Sequence, residues 1–85
     1  MERRTHRRRS AVYSPEYQFL LKRLRKARRQ ARLTQVQVAK ALGRPQSFVT
    51  KCELGERRID PVDLQRFAKL YRKPLAFFLP RKVDP

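Results

Sequence analysis

The chain has 85 residues, room for one small domain with a modest core, and 23 basic against 7 acidic residues give it a formal net charge of +16. Such a molecule repels itself and attracts a dense polyanion, so nucleic acid is the first partner to weigh. No apolar run approaches the roughly 18 residues needed to span a bilayer, and a single cysteine, Cys52, excludes an internal disulfide and a metal cluster.

The first ten residues, MERRTHRRRS, carry Arg3, Arg4, Arg7, Arg8 and Arg9 against one Glu. A secretory signal would follow this basic start with an apolar stretch of about 7 to 15 residues, and none comes. Residues 1–13 are expected to form a basic, disordered arm, residues 14–80 the folded domain, and 81–85 a short tail. His6 has no second His or Cys at metal-ligand spacing and is expected to be inert.

Sustained apolar/polar alternation is missing, and the chain is expected to be all-α. A first helix starts at Ser14 as N-cap, with Pro15 at the first helical position and Glu16 in the first turn. Tyr17, Leu20, Leu21, Leu24, Ala27 and Ala31 make its buried stripe, while Phe19 lies off it. Thr34 caps a second helix, QVQVAKAL, which Gly43 ends and Pro45 cannot continue. A third runs from about Gln46 to Leu54 and stops at Gly55. Asp60 and Pro61 open a fourth, with Leu64, Phe67, Ala68 and Tyr71 inward. The closing PLAFFLP reads either as a last helical turn completing the core or as a patch buried against a second copy. Cys52 is expected to be a small buried hydrophobe.

Two short helices joined by a tight turn containing Gly, TQVQVAKALGRPQSFVTK, have the layout of a helix-turn-helix, whose second helix enters the DNA major groove. The stretch from about residue 16 to 79 resembles the phage repressor and Cro-like (XRE-type) family. The matching pieces are Leu-Thr-Gln at 33–35, Ala39, the turn Gly43, PQSFVTK at 45–51 and ELGERRID at 53–60. The resemblance implies a compact five-helix, lambda-repressor-like fold, base contacts at Gln46, Ser47, Thr50 and Lys51, and a backbone contact at Gln35. It also implies an ion pair between Arg28 and Glu53. Where the family usually carries Gly before Leu-Thr-Gln, this chain has Arg32; a left-handed Arg there costs on the order of 1 kcal/mol relative to Gly. Pro45 replaces the common Ser or Thr cap of the third helix.

The residue types support the same assignment physically. At about 100° per residue, Gln46, Ser47, Thr50, Lys51 and Leu54 fall within an arc of about 140°, with Phe48, Val49 and Cys52 opposite. Phosphates need only positive charge, whereas base edges present mixed donors and acceptors that Gln, Ser, Thr and Lys can match. From Tyr17 to Cys52 every charged residue is basic, a single-sign field that suits a polyanion. Along the first helix, most of these charges are expected to be solvated surface.

Gln35, Arg44, Arg57 and Arg58 are expected to hold phosphates, and the arm arginines to follow the backbone or a narrow minor groove. The expected function is a sequence-specific, double-stranded DNA-binding transcription regulator of a prokaryote or phage, cytoplasmic, acting as a homodimer on a palindromic operator. An antitoxin or restriction-system controller of the same fold would look alike, and a non-specific basic nucleic-acid binder is the main alternative. A membrane-surface peptide built on the first helix would require that helix to leave the core. No enzyme is expected: carboxylates are few and no nucleophile–base pair or Gly-rich phosphate loop is present. No cofactor, metal or small-molecule ligand is implied.

Overall fold

A computed structural model describes residues 14–80; the expected arm, with His6, and the tail at 81–85 lie outside the described residues. Within them are four α-helices, α1 (Pro15–Gln30), α2 (Gln35–Leu42), α3 (Gln46–Leu54) and α4 (Pro61–Tyr71), followed by a 3₁₀ turn, Leu75–Phe78. The fifth helix expected from the sequence is therefore one turn of 3₁₀ helix. Pro74 opens it and Pro80 follows it, leaving too little chain for α-helical hydrogen bonding to propagate.

Helix starts follow from local chemistry. Ser14 Oγ accepts from the Tyr17 amide at 3.1 Å, and Asp60 Oδ1 accepts from the Asp63 amide at 2.8 Å. Thr34 and Gln37 form a reciprocal capping box, with the Gln37 amide donating to Thr34 Oγ1 at 3.1 Å and the Thr34 amide donating to Gln37 Oε1 at 2.8 Å. Pro45 gives α3 no side-chain cap.

The four helix ends share one device. Each closes with a residue at positive φ and a backbone bond reaching five residues back: Leu33 to Arg28, Arg44 to Ala39, Glu56 to Lys51 and Lys73 to Ala68. Gly43 and Gly55 occupy two of the left-handed positions, and Arg32 (φ 60°) and Arg72 (φ 59°) the other two. Both arginines adopt a conformation that disfavours a Cβ, as anticipated for Arg32 from its place before Leu-Thr-Gln.

The core draws on all four α-helices and the 3₁₀ turn. Leu24, Val38, Val49, Cys52, Phe67 and Phe78 are fully buried. Phe67 stacks on Phe48 at 6.1 Å and on Tyr71 at 5.9 Å between centroids, so α4 meets α3 through aromatic faces. α1 gives the core Leu20, Leu21, Leu24 and Ala27, which commits that helix to the fold and removes the membrane-surface alternative's apolar face. The closing apolar segment is divided: Phe78 is buried, while Leu75 and Leu79 stay 42% and 45% exposed.

Besides Arg28, whose pairing the resemblance implied, two more basic residues of α1 are held by the protein rather than left to solvent. Arg23 Nε donates to the Phe77 carbonyl at 2.7 Å, with its guanidinium 3.9 Å from the Phe77 centroid and 5.2 Å from that of Phe19. Phe19 thus serves as a platform for the arginine that ties the 3₁₀ turn to α1. Arg25 Nη1 donates to the Glu53 carbonyl at 2.9 Å, at the C-terminal end of α3.

Burial acts on the ionisable core groups in one direction. It pushes the Cys52 thiol up to about 11, leaving it protonated and inert. Tyr71 is raised from its ordinary value, first by burial and then by the charge of Glu53. Its hydroxyl is buried and has no hydrogen-bond partner among the described residues.

Replacing Arg32 or Arg72 by Gly should each raise unfolding free energy by up to about 1 kcal/mol, measured by urea titration. Tyr71→Phe should stabilise the domain near neutral pH by about 1 kcal/mol, since it removes an unsatisfied buried hydroxyl. Because the folded-state value of Tyr71 lies above the unfolded one, the native state retains a proton that the unfolded chain releases. Stability should fall as pH rises above about 10, and less steeply in Tyr71→Phe, in urea titrations repeated across pH.

Candidate nucleic-acid interface

α3 presents two unlike sides. Phe48, Val49 and Cys52 are buried, whereas Gln46, Ser47 and Lys51 are exposed and Thr50 is half-buried. The core side fixes rotation of the helix about its axis, and the rotation decides which side chains face outward.

The position along that axis is held at Glu53, which is only 2% exposed. Arg28 Nε donates to Glu53 Oε2 at 2.7 Å and Nη2 to Oε1 at 3.2 Å, a two-pronged ion pair. Arg28 Nη1 also donates to the Leu33 carbonyl at 3.1 Å, so one guanidinium fastens α1, the α1–α2 turn and α3. Its hydrogen bond to Glu53 is the main cause that raises the Arg28 value further above its ordinary one. Gln35, first residue of α2, adds a bond from Nε2 to Glu53 Oε1 at 2.9 Å.

The flanking basic residues are partly held by the protein. The Arg44 guanidinium lies 4.0 Å from the Phe48 ring centroid and 4.0 Å from Asp63 Oδ1. Arg57 sits 5.1 Å from the same ring, so residues from both ends of α3 converge on Phe48. Arg58 is 5.1 Å from the Tyr17 ring, whose hydroxyl accepts from the Ile59 amide at 3.0 Å. Both Arg57 and Arg58 are exposed.

A profile of the helix-turn-helix domain family matches residues 20–76, from within α1 to the 3₁₀ turn. The chain belongs to this XRE-like family. No curated protein matches the chain. α2 and α3 are then the two helices of the helix-turn-helix, Gly43 to Pro45 is the turn, and DNA is the class of partner the domain implies.

Of the residues expected at the DNA, Gln46, Ser47 and Lys51 share the free side of α3. Thr50 and Gln35 are brought together: Thr50 Oγ1 donates to Gln35 Oε1 at 2.8 Å. Arg3, Arg4, Arg7, Arg8 and Arg9 lie outside the described residues. Sequence reasoning overlooked Arg25, whose bond to the Glu53 carbonyl steadies the far end of α3. Its available signal was its place beside Leu24 and three residues before Arg28, at the edge of the buried stripe.

Removing one member of the buried pair should be far more damaging than replacing both. Arg28→Ala leaves the Glu53 carboxylate buried without its cation and should destabilise by about 3 to 5 kcal/mol in urea unfolding followed by circular dichroism. The double change Arg28→Met with Glu53→Leu should recover much of that loss.

Proposed function

We propose that this chain is a sequence-specific, double-stranded DNA-binding regulator of transcription that places α3 in the major groove with α2 above it. The observation that carries the proposal is the division of α3: its apolar side is locked into the core, and its free side offers Gln46, Ser47 and Lys51, residues able to pair with base edges. A surface meant only for phosphates would need no Gln or Ser there.

In this reading Gln46 pairs with adenine through both ends of its amide, Lys51 reaches guanine O6 and N7, and Ser47 and Thr50 contact neighbouring bases. Arg44, Arg57 and Arg58 hold phosphates, helped by the amino end of α3, which has no side-chain cap. Gln35 keeps one amide N–H uncommitted for a backbone phosphate. The arm adds affinity through its five arginines.

The protein acts as a homodimer on a palindromic operator, because one short recognition helix spans only a few base pairs and a second copy multiplies affinity and fixes half-site spacing. Its role is binding rather than catalysis.

The competing class, a non-specific basic coat for nucleic acid, uses the same charge but leaves the polar face of α3 without a task. Gel-shift titrations of selected and scrambled duplexes across salt separate the two. Gln46→Ala should cost about 1 to 3 kcal/mol at one base pair and little elsewhere. Deleting residues 1–10 should weaken all duplexes alike and flatten the salt dependence. Identical behaviour of the two changes would favour the coat.

A further inference from the structure

Thr50, half-buried at the edge of the free side of α3, differs from Ser47 and Lys51 because its hydroxyl proton is already in use. Thr50 Oγ1 donates to Gln35 Oε1 at 2.8 Å, and Gln35 Nε2 donates to Glu53 Oε1 at 2.9 Å. Glu53 in turn accepts from Arg28 Nε at 2.7 Å and from Nη2 at 3.2 Å.

The direction of this chain is set from its buried end. A carboxylate paired with a guanidinium can only accept, so the Gln35 amide turns its NH₂ toward Glu53. Its carbonyl oxygen is thereby turned toward Thr50, and that oxygen can only accept as well. A hydroxyl has one proton, and Thr50 gives it to Gln35. What Thr50 has left to present is an oxygen lone pair and a methyl group. Ser47, exposed on the same helix, has no such bond among the described residues, so its hydroxyl can either donate or accept.

We infer that Gln35 is a positioning residue that locks Thr50 as an acceptor-only reader. The base facing Thr50 is then one that offers an exocyclic amine, adenine N6 or cytosine N4. Guanine is refused, since its major-groove edge carries the acceptors N7 and O6 alone. Thymine is tolerated through contact between its methyl group and that of Thr50. The inference rests on the proposal that the free side of α3 lies in the major groove.

The test uses the full chain. Duplexes are selected from a random pool, and the enriched site is then varied one base pair at a time in competition binding. The wild type should disfavour guanine at the Thr50 position by about tenfold. Thr50→Val should remove that refusal at a single base pair, and Thr50→Ser, which keeps the hydroxyl, should retain it. Gln35→Met frees the hydroxyl to rotate and donate. At that same base pair it should reduce the discrimination to within about threefold, leaving preferences elsewhere in place.

Thermal unfolding of each variant checks the fold. Should Gln35→Met fail to fold, the contrast between Thr50→Ser and Thr50→Val still decides, and equal behaviour of those two overturns the inference. A folded Gln35→Met that weakens every sequence by one factor, with base preferences intact, also overturns it and leaves major-groove recognition standing. A wild-type chain that enriches no sequence removes the recognition proposal itself, and this inference with it.

Discussion

The fold and the candidate interface both hang on the Arg28–Glu53 ion pair. A domain this small has few ways to hold three helices in one register, and hydrophobic contact alone tolerates slippage between helices. The two-pronged geometry supplies direction, because a guanidinium and a carboxylate meet in one plane and at one spacing. Around it converge Gln35 from α2, the Leu33 carbonyl from the preceding turn and Arg25 on the adjacent carbonyl. Burial makes the pair expensive to break, whatever its net contribution when intact. Its consequence is positional: α3 cannot rotate or slide without exposing Glu53.

Much of the molecule was legible in the sequence because its signals are local. Ser14-Pro15, Thr34 and Asp60-Pro61 each announce a helix start, and Gly43 and Gly55 announce two ends. Helical spacing alone separated Gln46, Ser47 and Lys51 from Phe48, Val49 and Cys52. Arg72 gave no comparable cue, since a left-handed arginine looks like any other in a sequence. The 3₁₀ character of Leu75–Phe78 was hidden because apolar content marks burial, not hydrogen-bond pattern.

Long-range polar contacts were the part the sequence withheld. Arg23 reaches a carbonyl 54 residues away, and Arg25 and Arg28 reach Glu53 across 28 and 25 residues. In a run rich in Arg and Lys, nothing in composition distinguishes those three from solvated neighbours. A helical wheel likewise gives the angle of Thr50 but not its partners, and so misses that its hydroxyl proton is donated to Gln35. Family resemblance pointed to the ion pair, and the remaining partners became visible only with the packing.

In the proposed reading, cationic attraction and polar recognition are separable features of one small scaffold, the first a property of composition and the second of how α3 is clamped. The most direct test of that central claim is a crystal structure of the full chain bound to a duplex enriched from a random pool. Gln46, Ser47 and Lys51 should lie within hydrogen-bonding distance of major-groove base edges, with the Arg28–Glu53 pair intact behind them. A duplex bound along another surface, with those three side chains facing solvent or protein, would contradict the account.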